Sequence, residues 1–178
     1  GIKGKKFVFL KESDEICTCA DALSDLPRLS HADGLQKVHE YISSPQNEFQ
    51  ALMRKNSTRI LNHQITEHSE QTVSIISKIP DGGSIKDLPR EFWEVRKYNK
   101  AFERMSSQRP SNTVDTGHRN YFHFEENRIP TVRENARLQS FPDDFEILGS
   151  KTSQYKQVGN AVPPLLAYAI AKAIREQL

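Results

Sequence analysis

Cysteine is nearly absent, with two in 178 residues. That is too few for a disulfide scaffold and fits a reducing intracellular setting. Long apolar runs are missing too. The longest, near the C-terminus, is too short and too interrupted to span a bilayer. No charged segment followed by an apolar one opens the chain, so no secretory signal is expected. The first residue is Gly1 rather than Met, which suggests a chain that is processed, tagged or cut from something larger. Apolar residues make up 36%. Even with glycine added they reach only about 40%, against ~45–50% in ordinary globular domains. A loop-rich chain, or one that borrows burial from a partner, is expected. The sequence holds no repeat, no phosphate loop, no Gly-x-Ser-x-Gly and no Gly-x-Gly-x-x-Gly.

Charge of one sign is scarce overall, with a net of +2, but it is unevenly spread. Residues 1–95 carry 12 basic and 14 acidic side chains, and residues 138–178 carry 4 and 4. Residues 96–137 carry 9 basic against 5 acidic, a net of +4, with Arg96, Arg104, Arg109, Arg119, Arg128 and Arg133 among them. Arginine forks suit phosphate. The stripe reads either as a nucleic-acid contact or as a solvated patch.

Residues 6–10 read as a short buried strand, 20–26 as a short helix or turn stopped by Pro27, and 28–44 as loop. Ser44-Pro45 reads as an N-cap followed by proline in the first turn, opening a helix through Phe49, Leu52 and Met53. Another helix starts at Ser69 or Thr72, carries Val73, Ile75, Ile76 and Ile79, and ends in the turn Pro80-Asp81-Gly82-Gly83. Residues 84–110 read as mostly irregular and 112–116 as a strand. Thr131-Val132-Arg133-Glu134 is a capping box, whose helix ends before Pro142. Residues 157–164 read as a tight loop, and Pro163 or Pro164 starts a last helix. That helix is apolar at Leu165, Leu166, Ala169, Ile170, Ala173 and Ile174, a width that demands a large packing surface. The rest of the chain does not obviously supply one.

Bare chemistry offers no self-contained active site. Cys17-x-Cys19 is too tight for the usual zinc spacing, and His63 and His68 fall on different helix faces, so no metal is expected. Asp21 and Glu15 near Cys17 raise a thiol's pKa and blunt it as a nucleophile. Asp143-Asp144 after Pro142 reads as a turn or cap.

Two segments carry more. Residues 128–145 run Arg128-Ile-Pro-Thr131-Val-Arg133-Glu134-Asn-Ala136-Arg137-Leu138-Gln139-Ser-Phe141-Pro142-Asp143-Asp-Phe145, and residues 157–164 run Gln157-Val-Gly159-Asn160-Ala161-Val162-Pro163-Pro164. They closely resemble the ninth and tenth motifs of bacterial DNA (cytosine-5)-methyltransferases, R-x-x-T-x-R-E-x-A-R-L-Q-x-F-P-D-x-F and Q-x-G-N-A-V-P-P. More loosely, Asp21-Ala22-Leu23-Ser24-Asp25-Leu26-Pro27, Asn62-His63, 79–83 and 109–113 resemble stations of that family's target-recognition region. The family's F-x-G-x-G donor loop, its Pro-Cys nucleophile, its Glu-Asn-Val and its Q-x-R-x-R do not occur in this sequence.

The resemblance implies a mixed α/β fold. Residues 1–11 would end a catalytic-domain strand, and 12–127 would form a small irregular α+β target-recognition domain. Residues 128–178 would return to complete a doubly wound, Rossmann-like methyltransferase domain with the last helix. It implies a C-terminal fragment or second subunit of an enzyme that flips a cytosine from the duplex and methylates its C5. In the family a cysteine attacks C6, a glutamate protonates N3, and the methyl comes from S-adenosyl-L-methionine. Cysteine and glutamate would lie on sequence missing here, so the catalytic set in this chain is empty and the chain alone is expected to be inactive. Asn160, Ala161 and Val162 match positions lining the S-adenosyl-L-methionine pocket. Arg109, Asn112, Thr113, His118, Arg119 and Asn120 offer donors for base edges or phosphates. Tyr121, Phe122 and Phe124 are expected to pack. Arg128 and Arg133 are assigned to the DNA backbone and Glu134 to structural support, with a cap-and-ion-pair role as the alternative for this segment. The implied partners are double-stranded DNA and a catalytic half, in a bacterial cytoplasm and away from membranes. The rival reading is a stand-alone DNA-binding or assembly module.

Overall fold

Side-chain caps start five of the six α-helices among the described residues, which are 4, 8, 15–29, 38–95, 102–116 and 121–177 of this computed structural model. Thr18 opens α1 (Cys19–Leu23), Asn47 opens α2 (Glu48–Arg54) and Ser69 opens α3 (Glu70–Ile76). Thr131 opens α4 (Val132–Leu138) and Ser150 opens α5 (Lys151–Asn160). Each side chain accepts a hydrogen bond from a first-turn N–H that would otherwise lack a partner. The last helix, α6 (Pro164–Arg175), follows Pro163 and has no cap of its own.

The sheets are small. β1 (Val38–Glu40) pairs antiparallel with β2 (Arg59–Leu61), with His39 opposite Ile60. β3 (Glu103–Arg104) pairs parallel with β4 (Tyr121–Phe122). Two 3-10 turns, Ile85–Asp87 and Arg90–Val95, lie between. The described residues thus mix helices with short sheets and include no doubly wound sheet. No helix among them is long and apolar enough to cross a membrane.

Two hydrophobic clusters flank α4. The larger joins Ile75, Ile76, Ile85, Phe102 and Phe122 to Val132, Ala136, Tyr155 and Val158. The smaller joins Cys19, Ala22, Leu23, Leu26, Ile60 and Met105, with Tyr121, Phe124 and Leu138 packed against it. α4 contributes to both, so the capping-box helix is the element on which the two clusters meet. Phe122, Tyr121 and Phe124 pack, as expected from the sequence.

Several expected elements differ. α2 starts at Asn47, not at Ser44-Pro45, because tertiary bonds select the cap. The Asn47 amide donates to Asp21 O, and the buried Gln50 amide donates to Asp21 O and Ser24 Oγ, docking the first turn on α1. The expected loop 28–44 contains β1. Residues 84–110 hold both 3-10 turns and β3. The expected strand 112–116 joins no sheet among the described residues. The expected loop 157–164 is half helix, since 157–160 form the last turn of α5. Apart from the isolated Val8, the expected strand 6–10 lies outside the described residues.

α4 ends in a Schellman turn. Ser140 N donates to Arg137 O at 2.8 Å and Phe141 N to Ala136 O at 2.9 Å. Ser140 occupies the left-handed position at φ 59°, where glycine is the usual residue.

Candidate functional site

The capping box at α4 is tied into a buried ionic knot. Thr131 N donates to Glu134 Oε2 at 2.7 Å, and Glu134 N donates to Thr131 Oγ1 at 3.2 Å. Arg128 grips the same carboxylate with two bonds, at 2.8 and 2.7 Å. Burial alone would raise the Glu134 carboxyl, but the Arg128 guanidinium holds it well below the usual carboxylate range. His63 sits beneath, fully buried, with Nε2 3.0 Å from Pro27 O and Nδ1 2.9 Å from Thr131 Oγ1. A carbonyl only accepts, so Nε2 carries the proton and Nδ1 accepts from the threonine hydroxyl. His123 Nδ1 accepts from the backbone N–H groups of Glu125 and Glu126. Burial pushes both imidazoles down to about 4.

His123, Glu126 and Glu134 bring three potential metal-ligand atoms within 4.8 Å of one another. Arg128 already donates to both carboxylates, and His123 Nδ1 already accepts two amides. Both carboxylates are thus already engaged by one guanidinium.

Among the described residues, the arginines of the stripe are largely interior. Of its five described arginines, Arg104, Arg128, Arg133 and Arg137 are buried and only Arg109 is exposed. Arg133 is fully buried, and its guanidinium donates to the carbonyls of Leu61, Pro142 and Phe145 at 2.9, 3.0 and 2.6 Å. Arg137 is held between the buried carboxylates of Asp25 and Asp143, at 2.5 and 2.6 Å. Tyr41 donates to Asp143, and Arg54 donates to Asp25. Asp143 is therefore an ion-pair partner as well as a turn residue. The assignment of Arg128 and Arg133 to the DNA backbone is corrected here. Their donors bond inside the fold, so both are structural ties. Glu134 is both cap and ion-pair partner.

Exposed polar groups lie elsewhere. Arg109, Asn112 and Thr113 are exposed along one short segment. His118, Arg119 and Asn120 fall outside the described residues. That segment runs to a contact with α5. A Cβ on Gly159 would sit 2.5 Å from Asp115 C, Asp115 O and Thr116 N, so only glycine permits this approach of backbone to backbone. The next residues are Asn160, exposed, Ala161, half-buried, and Val162, 61% exposed. No side-chain hydrogen bond holds the Asn160 amide among the described residues.

Beyond this loop α6 is bare. Leu165, Leu166, Tyr168 and Ile174 are exposed, and Ala173 is its one buried residue among those described. A cleft of about 600 Å³ opens between α1, α2 and the start of α6, lined by Ile16, Leu52 and Leu165 with Asp21 and Asn47. Apolar surface of this extent marks an interaction face.

The C-5 cytosine-specific DNA methylase family pattern matches residues 5–176. The chain belongs to this family. It is 45% identical over 126 residues to the type II methyltransferase M1.HphI of Haemophilus parahaemolyticus, covering 71% of this chain and 34% of that protein. It is 35% identical over 179 residues to M.DdeI of Desulfomicrobium norvegicum, covering 90% of this chain and 43% of that one. The chain thus spans less than half of either relative. With M.AquIB of a Picosynechococcus species it shares 38% identity over 134 residues, which cover 68% of this chain and 92% of the relative. A solved structure described as a prophage-encoded DNA modification methyltransferase of E. coli superposes with a TM-score of 0.67 at 21% identity. It covers 94% of this chain and 51% of that one, a likeness of fold.

Sequence reasoning found α4 and the bare last helix, and it placed a loop at 157–164 of which 161–163 lie between α5 and α6. It missed Gln139 and Ser140, which bond to either side of that loop. The chain signals only a helix end there, and their partners lie 19 and 25 residues away.

Proposed function

We propose that this chain is the recognition and cofactor-completing part of a DNA (cytosine-5)-methyltransferase, acting on a specific duplex sequence together with a catalytic portion that carries the cysteine and glutamate. The observation that carries this reading is the family match combined with the uncovered apolar length of α6, which starts at the Asn160 loop. The match to M.AquIB, most of whose length this chain covers, supports a role for such a piece as a chain of its own.

The residues fit the methyl donor as one wall of a pocket. Asn160 offers an amide with donor and acceptor atoms unengaged among the described residues, Ala161 offers a half-buried methyl and Val162 an exposed apolar face. S-adenosyl-L-methionine supplies the methyl group when bound. This chain's part is to orient it through Asn160, to exclude water through Val162, and to close against the catalytic portion through α6. Arg109, Asn112 and Thr113, with His118, Arg119 and Asn120, reach duplex DNA and read it. The knot of Arg128, Glu134 and His63 holds the start of α4, and Arg133 ties the same helix to the carbonyls of Leu61, Pro142 and Phe145.

The test is methyl transfer from labelled S-adenosyl-L-methionine to duplex DNA. The chain alone is expected to give none, and the chain combined with its catalytic portion is expected to methylate C5. Transfer by the chain alone overturns the division of labour. DNA binding without any restored activity in the mixture makes the chain a binding module instead.

A further inference from the structure

Ser140 stands in a backbone conformation that an L side chain rarely adopts, and a feature of this kind persists only where something compensates it. The compensation is visible. Ser140 is buried, and its Oγ accepts the N–H of Leu165 at 3.1 Å. Leu165 lies in the first turn of α6, the one α-helix among the described residues whose N-cap residue makes no side-chain cap bond. Pro164 has no N–H, so the Leu165 amide is the first orphan donor of the helix. A serine from a turn 25 residues away thus serves as the N-cap of α6. Its neighbour Gln139, also buried, donates from Nε2 to Val158 O at 2.5 Å, in the last turn of α5. Two consecutive residues at the end of α4 therefore fasten the chain just before and just after 159–164. Gly159 locks the same loop against the backbone of 115–116.

We propose that Gln139 and Ser140 are positioning residues for the methyl donor, a two-point clamp that presets the loop bearing Asn160, Ala161 and Val162. The proposal rests on the reading of that loop as the wall of the donor pocket. Free of the clamp, the loop samples other conformations and the donor must select the competent one, which weakens binding by the competent fraction. The left-handed serine is explained on the same grounds. Glycine satisfies the Schellman turn but caps nothing.

That contrast supplies the test, because Ser140→Gly keeps the turn and removes only the cap. In the chain itself, amide exchange at Leu165 is expected to quicken about fivefold, the usual worth of one hydrogen bond. In the complete methyltransferase, Ser140→Gly and Gln139→Met are each expected to raise the donor Kd and KM about fivefold, with kcat at saturating donor and the DNA Kd within about twofold. Ser140→Asn tolerates the left-handed conformation and carries an acceptor oxygen, and it is expected to restore donor affinity. Asn160→Ala separates the two ideas. If Asn160→Ala weakens the donor and Ser140→Gly does not, the clamp is wrong and the pocket stands. If neither changes donor affinity, the pocket reading falls and the clamp with it. If Ser140→Gly weakens DNA and donor alike, the serine is a general structural support and the proposal fails.

Discussion

Around α4, guanidinium groups stand where a hydrophobic core would ordinarily be. Arg133 and Arg137 are fully buried, and every donor drawn from them meets a carbonyl or a carboxylate. At the start of α6 the reverse holds. Leu165, Leu166 and Tyr168 are exposed, and the Asn160 amide has no partner among the described residues. The first region is complete in itself. Its ions are paired, and removing one partner would strand the other. The second has unfulfilled bonds and apolar surface side by side, the composition of a face waiting for the rest of a protein. Polarity by itself misleads in both places. What separates them is whether each group already has a partner.

Breaking an ion pair in the first region should have the largest effect. Arg137→Ala leaves Asp25 and Asp143 buried with their principal counter-charge gone, since Arg54 reaches only Asp25 and Arg133 stands no nearer than 3.9 Å to Asp143. A loss of about 3–5 kcal/mol is expected, enough to unfold a marginal domain. Urea denaturation measures it. A midpoint shift worth under about 1 kcal/mol would show that the network is not the structural joint its burial implies.

Acid tests the same region without mutation. His63 and His123 are neutral in the fold, pushed by burial from an ordinary 6.5 down to about 4. Between these values the unfolded chain takes up protons that the folded chain refuses. Stability is therefore full above pH 6.5 and falls as the pH drops toward 4, by up to about 3 kcal/mol for each ring. Glu134, held below the usual carboxylate range, stays charged across this window. Equal denaturation midpoints at about pH 7.5 and about pH 5 would contradict the assignment of both rings as buried and neutral.

How much of this was legible in the sequence follows from the reach of each interaction. The α4 capping box reads directly, because its two bonds close over three residues. β1 could not be read, because its ladder joins 38–40 to 59–61 across the whole of α2. α5 hides behind its polarity. Only Tyr155 and Val158 are buried on it, and a glycine near its end suggests a turn. The buried arginines are the hardest case. Arg133 donates to Leu61, 72 residues away, and Arg137 to Asp25, 112 away, while either residue in isolation reads as surface. A family motif can place Arg133 at a position. Only its carbonyl partners show that it faces inward.

Gly159 lies at the border between the two regions, and its substitution sets two effects against each other. Alanine favours a helix over glycine by about 1 kcal/mol. The new Cβ, however, would meet the backbone of Asp115 and Thr116 at 2.5 Å, where no flexible side chain can move aside. The clash should win, with a net loss of about 1–3 kcal/mol and displacement of the exposed segment that carries Asn112 and Thr113. Thermal melting decides the sign. A raised Tm for Gly159→Ala would mean that the two backbones do not touch in solution.

The smallest stability effect belongs to the bare helix, and there the smallness is itself informative. Leu166 is 48% exposed on α6. Leu166→Glu removes little packing and should change the stability of the chain by no more than about 0.5 kcal/mol. On the proposed reading the same charge falls where α6 meets the catalytic portion, and burying it unpaired costs several kcal/mol. Association with that portion, followed by calorimetry, should weaken by about a hundredfold or more while the melting of the chain alone is unchanged. A variant that melts normally and still associates at full strength would show that this face of α6 remains in solvent, and the catalytic portion would then have to be sought against the cleft between α1 and α2.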